Sequence, residues 1–323
     1  MNAVIRDVAE SGRAMPCLFY PAVRENGVSV ADALQNAPVQ ADILKKIADQ
    51  WPVAAVVRMT ELWCEGAAFG MECRITDDDF PVLGEPLCEE AEELAELAVP
   101  DVENAVTAPL LEAVRLAAPA LDRPLFAGMT GPYTLGTVLC GAEDFMVACM
   151  TEPETVQAFM EHVCSFLTDY AKAYKQAGAA GILIAEPATA MISPDMMQEF
   201  SNKWINHITD AVQDDTFAVV YHNCGAANPH MQTIAELHTA VFHFGSDIDL
   251  TRARSMVPEE RAVMGNLDPR AFLGAQPESI RQKAAQQKAQ WGTLPHWIPS
   301  TGCDLAPVAS ADALHVYCDC FGA

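Results

Sequence analysis

Basic residues are scarce in this chain. Only 19 Lys and Arg stand against 44 Asp and Glu, a formal net charge of −25 over 323 residues. Nucleic acid and anionic membrane surfaces are held by Lys and Arg, so this balance argues against both as partners. Long unbroken apolar runs are missing too. The longest candidates are interrupted by Gly, Pro or charge, so no bilayer span is expected. The first residues, Met1 to Asp7, lack the apolar core of a signal sequence. Two close cysteine pairs, the mark of a zinc finger, do not occur. The eleven cysteines are odd in number and scattered, which excludes a disulfide framework in a chain this long. Internal repeats, low-complexity linkers and like-charge tails are likewise absent. What remains is a soluble, cytoplasmic enzyme in a reducing compartment, with most cysteines serving as small buried hydrophobes.

The chain is 51% hydrophobic, ample for a sizeable core. Apolar runs of strand length alternate with longer amphipathic stretches nearly throughout. The strand candidates are Met15 to Tyr20, Val53 to Arg58, Pro124 to Met129, Ala180 to Ala185, Phe217 to Tyr221, Ala240 to Phe244, Arg261 to Gly265 and Trp297 to Ser300. Helices are expected over Glu152 to Ala177, ending at Gly178, from Ser193-Pro194 onward, and over Pro277 to Gln290. Alternation of this kind implies a parallel sheet, and eight units imply a (β/α)₈ TIM barrel, one α/β domain over residues 1–323. Phe69 to Pro86 mixes Gly, Pro and an acidic run, and reads as an inserted loop or hairpin in the first third. Glu89 to Leu97 reads as an acidic, solvated helix.

His222-Asn223-Cys224 stands at the end of one apolar run, and Cys303 ends another 79 positions downstream. One imidazole and two thiolates suit tetrahedral Zn²⁺, and three protein ligands leave a position open to substrate. Active sites of such barrels lie at the C-terminal ends of the strands, where these distant residues converge. Glu186 ends the run Gly181 to Ala185 in the same way, which makes it a candidate fourth ligand. Glu186 and Cys303 are the catalytic candidates. Thr130, Tyr133, Asn266 and Asp268 also fall at strand ends, as candidate substrate-binding residues. Cys318-Asp319-Cys320 looks like a metal pair but lies in the terminal helix, where positions two apart point to different faces. His243 and His296 are candidate general bases; His207, His230 and His238 read as structural.

Five ordered segments carry a family resemblance: Thr130-Gly131-Pro132-Tyr133-Thr134-Leu135; Glu186 with Ile192-Ser193-Pro194 and Glu199-Phe200; His222-Asn223-Cys224-Gly225; Met264-Gly265-Asn266-Leu267-Asp268-Pro269; and Gly302-Cys303-Asp304-Leu305-Ala306-Pro307. With these the chain resembles the uroporphyrinogen decarboxylase superfamily, and within it the methylcobamide:coenzyme M methyltransferase branch. The match is good from Pro124 onward and loose in the first third. The resemblance implies a zinc-containing barrel that transfers a methyl group from a corrinoid (methylcobalamin or its protein-bound form) to a thiol such as coenzyme M. It implies a corrinoid-binding partner protein, since this chain has no appended corrinoid domain. A folate acceptor stays open, as does the reverse half-reaction from a methoxyl or methylamine donor to the corrinoid. The decarboxylases of the superfamily carry an Arg-rich segment near the N-terminus. Here that region reads Leu18-Phe19-Tyr20-Pro21-Ala22-Val23-Arg24, which disfavours decarboxylation.

Overall fold

Strands buried on both faces read as continuous apolar runs, and seven of the eight runs behave this way. The computed structural model describes residues 1–58, 62–88, 91–225 and 227–322. Its main sheet is parallel and curled, with strands β1 (Val56–Val57), β2 (Leu125–Thr130), β3 (Gly181–Ala185), β4 (Ala218–Asn223), β5 (Val241–Phe244), β6 (Ala262–Leu267) and β7 (Trp297–Thr301), paired in chain order. Every residue of β2 to β6 is buried. Side chains alternate across the sheet. One set, with Phe126, Leu183, Val220, Val241, Met264 and Ile298, fills the concave interior as a separate apolar cluster. The opposite set joins the larger cluster beneath the surrounding helices.

The eighth expected strand is not one. Met15 to Tyr20 divides into an extended segment and a helix that begins at Phe19. Pro16 has no N–H to give a ladder, which prevents regular pairing. The segment nevertheless occupies the gap between the sheet's edges. Met15 N–H donates to Pro299 O (2.8 Å) on one side, and Ala54 N–H donates to Ala14 O (2.8 Å) on the other. Ser300 Oγ donates to Met15 O (2.7 Å), and Cys17 N–H donates to Thr301 Oγ1 (3.2 Å). Met15 and Cys17 thereby join the interior cluster. Replacing Ser300 by alanine is expected to cost about 1 kcal/mol, the ordinary worth of one buried hydrogen bond. Denaturant unfolding measures it; an unchanged midpoint would mean that this bond contributes nothing to holding the segment.

The expected helices are present as Pro153–Gln176, Pro277–Trp291 and a run from Pro194 to Val212. Ser193 caps the last of these, its Oγ accepting from Met196 N–H (3.2 Å). That run widens into a π-type turn over Gln198–Asn202. The insertion forms an antiparallel hairpin of Cys73–Arg74 and Val82–Leu83. Ala91–Glu96 is helical; Glu89 and Glu90, the start of the expected acidic helix, lie outside the described residues. Among the described residues no helix is long and apolar enough to cross a membrane. All eleven cysteines are thiols rather than disulfides, and Cys17, Cys64, Cys88, Cys140, Cys149, Cys164 and Cys318 are buried, as packing residues should be.

Candidate metal centre

Strand register puts the first donor in place. Ala185 of β3 pairs with His222 of β4, and His222 pairs with His243 of β5. His222 shares its face with Ala218 and Val220, so it stands one layer above the apolar interior, toward the C-terminal mouth. Cys224 follows where β4 ends. Asn223 fixes the turn there: its Oδ1 accepts from Gly225 N–H (2.9 Å), and its Nδ2 donates to Thr189 Oγ1 (3.0 Å) and Tyr221 OH (3.1 Å). Gly245, just past β5, lies against this turn. A Cβ there would come within 2.9 Å of the Cys224 Cα, so the close approach requires glycine. Cys303 comes from the end of β7, where Gly302 N–H donates to Leu267 O (2.7 Å).

One ligand atom from each of His222, Cys224 and Cys303 lies within 4.8 Å of the others. The His222 ring is buried, and neither of its nitrogens has a hydrogen-bond partner among the described residues. A buried imidazole without a partner is costly unless something else binds it. The Cys303 and Cys224 sulfurs lie side by side, and their interaction lowers Cys224 and raises Cys303. An orphaned imidazole beside two cysteine sulfurs is a donor set that fits zinc. The His243 ring sits 4.5 Å from that of His222 at 38°. Its Nε2–H donates to Thr301 O (2.7 Å), which ties it to β7 and orients it beside His222. Burial, and then the neighbouring His222, push His243 well below its usual range, so it is neutral.

Glu186 does not join the cluster. Its carboxylate is fully buried at the N-terminus of helix Pro132–Cys140, where Oε1 accepts from Tyr133 N–H (2.9 Å) and Oε2 from Thr134 N–H (2.8 Å). Ser201, in the π-type turn, donates its Oγ–H to Oε1 (2.9 Å). Burial raises the Glu186 pKa against these donors. The helix N-terminus, with its free N–H groups, draws the carboxylate away from the strand axis. A Cβ on Gly131 would lie 2.4 Å from Oε2, so the carboxylate fits only because residue 131 is glycine.

The other expected pocket residues are also engaged elsewhere. Thr130 gives its N–H (3.1 Å) and its hydroxyl (2.7 Å) to the buried carboxylate of Glu65. Tyr133 is fully buried against Phe145. Asn266 donates to Gly245 O (2.7 Å) and Ile248 O (2.8 Å), bracing the loop behind Cys224. Asp268 caps the turn Pro269–Phe272 and pairs with Arg270. His296 precedes β7 at its start, at the end opposite the donors. Cys318 is buried and Cys320 is only partly so, on different sides of the terminal helix.

The cluster opens into a cavity of about 470 Å³. Its walls include Trp63, Phe80, Val82, Leu83 and Val138, with Asp304 beside the thiols. Most of these residues belong to the loop after β1 and to the inserted hairpin. The sequence pattern marks that insertion but not the surface it covers.

A family model described as Uroporphyrinogen decarboxylase (URO-D) matches residues 10–322. A uroporphyrinogen decarboxylase of Alcanivorax borkumensis is 24% identical over 319 residues, covering 95% of this chain and 89% of that protein. One from Neisseria meningitidis serogroup B is 24% identical over 88% of this chain and 81% of its own length. Among solved structures, a methyltransferase from Methanosarcina mazei superposes with a TM-score of 0.85 at 21% identity, covering 99% of this chain and 97% of that one. A B12-independent methionine synthase from Shewanella sp. W3-18-1 reaches a TM-score of 0.59 at 10% identity, over 89% and 88% of the two chains. At these identities the structural likeness concerns the fold.

Proposed function

The chain belongs to the uroporphyrinogen decarboxylase family, and from that membership we propose that it is a zinc-dependent methyltransferase, which moves a methyl group from a methylated corrinoid on a partner protein to a small thiol. The observation that carries this reading is the convergence of His222, Cys224 and Cys303 on one point at the floor of a cavity. These three would hold the metal. Zinc, when bound, supplies a cation that lets a thiol enter as its thiolate near neutral pH.

The chain's own residues prepare that event. Asn223 and Gly245 fix the Cys224 turn, and His243 orients the His222 ring. The apolar walls exclude water from the sulfur, which keeps it nucleophilic. In the transfer the thiol gives up its proton to solvent. Its sulfur lone pair forms the new carbon–sulfur bond while the cobalt–carbon bond breaks and leaves its pair on cobalt, taking Co(III) to Co(I).

Uroporphyrinogen decarboxylation is disfavoured by the same cavity. Its described lining contains no Lys or Arg to pair with substrate carboxylates. The test is anaerobic incubation of zinc-loaded protein with methylcobalamin and a panel of thiols, in parallel with uroporphyrinogen. Thioether formed as methylcobalamin absorbance decays is the expected result. Carbon dioxide released from uroporphyrinogen, with no thiol methylated, would return the chain to its relatives' activity. Methylation of cob(I)alamin by simple methoxyl or methylamine donors would reverse the direction.

A further inference from the structure

The cavity walls select by charge. Beyond the three donors, Asp304 is the only ionisable side chain among the described lining residues, and it is acidic. The remaining walls are aromatic or aliphatic: Trp63, Phe80, Val82, Leu83 and Val138. Residues that adjoin this lining in sequence but lie outside the described set, Met59-Thr60-Glu61 and Ala226, include no cation. The nearest arginine in sequence, Arg58, is fully buried, with Nε donating to Gln40 Oε1 (2.8 Å) and Nη1 to Tyr174 OH (3.2 Å). Trp63 Nε1 is an orphaned buried donor, but a single neutral N–H does not balance a full charge.

We infer that the acceptor is a small, uncharged thiol with an apolar tail, and that the pocket rejects thiols bearing a sulfonate or carboxylate. The inference rests on the methyltransferase reading and narrows its substrate class. An anionic tail entering this cavity leaves its hydration shell and meets no cationic side chain among the described lining residues. It faces instead the acidic side chain of Asp304. The chain's net charge of −25 adds a long-range field of the same sign. An alkyl or aryl tail meets no such opposition and gains the transfer energy of burial, roughly 25 cal/mol per Å². Val82 is 49% exposed on the hairpin, so it stands at the rim where a tail would enter.

The experiment compares matched thiols and their methylated products: 1-propanethiol, 2-mercaptoethanol and 2-mercaptoethanesulfonate, with methyl propyl sulfide and (methylthio)ethanesulfonate. Binding of the two thioethers is measured by calorimetry on zinc-loaded protein, and methyl transfer to the thiols is measured separately. The expected result is that the uncharged compounds bind at least about tenfold more tightly, the size of one partly screened like-charge contact. Val82→Arg places a cation at the rim and is expected to recover most of that loss for the sulfonate. Sulfonate binding equal to or tighter than that of its uncharged counterpart overturns the inference, as does a Val82→Arg variant with no gain for the sulfonate. If no thiol is methylated yet the uncharged thioether binds best, the methyltransferase reading fails while the charge selection stands. If thiols are methylated and the sulfonate is favoured, the reverse holds.

Discussion

Protein purified anaerobically is expected to carry about one zinc per chain, and a Cys303→Ser variant to lose it. Serine keeps the shape of the side chain but replaces a soft sulfur with a hydroxyl that is hard to deprotonate. Removing an outer partner of a zinc ligand weakens a site roughly 10–100-fold, and losing a ligand outright should exceed that. Methyl transfer to thiols should fall at least as far. The effect on folding is expected to be smaller, because Cys303 is only partly buried and its backbone is held by the Gly302 and Leu305 N–H bonds. Elemental analysis beside a thermal melt separates the two consequences. Chelation of the parent protein should reproduce the variant's melting temperature, since bound metal stabilises the folded state by mass action. Zinc content equal in the two proteins would remove Cys303 from the centre and undo the proposed chemistry.

Glu186→Ala should act in the opposite manner, costing stability and sparing the metal. The substitution strands three buried donors, the N–H groups of Tyr133 and Thr134 and the hydroxyl of Ser201. Each stranded donor costs about 1–3 kcal/mol. Relief of the carboxylate's own desolvation offsets part of this, leaving an expected loss of about 3–5 kcal/mol. Glu186→Gln keeps one acceptor oxygen but points an amide at an N–H, so it should fall between the two. Denaturant midpoints rank the three proteins, and elemental analysis on the folded fraction reads the metal. Zinc lost from a still-folded Glu186→Gln variant would make Glu186 a ligand after all, contrary to its position here.

Seven strands were legible because parallel strands covered on both faces leave little room for polar residues, and their ends are therefore sharp in the sequence. The same sharpness located His222, Cys224 and Cys303. A strand end fixes where a side chain starts but not where it turns. Glu186 occupies an equivalent position, yet the N–H groups of the helix that begins at Pro132 hold it elsewhere. Thr130, Asn266 and Asp268 stand out in the sequence for a related reason. Their polar atoms hold backbone and buried carboxylate in place behind the site rather than facing the cavity. Met15 to Tyr20 misled because Pro16 hides within an otherwise strand-like run. The walls of the cavity were the least legible part. Trp63, Phe80 and Val82 come from irregular chain whose destination depends on tertiary packing alone.

The segment from Ala14 to Cys17 has a consequence for how the chain is made. Its partners on β7 lie up to 285 positions away, so its β7-facing side stays unpaired until nearly the whole polypeptide has been synthesised. Loop closure over that distance is slow, and an unsatisfied apolar stretch in the interval invites association with other chains. His222 and Cys224, close in sequence, are in place once β4 is built, whereas Cys303 arrives with the same strand that receives Met15. Closure of the fold and completion of the donor set are thus one late event. If the centre binds metal as proposed, newly made chains should acquire it abruptly, at the end of folding, rather than in stages.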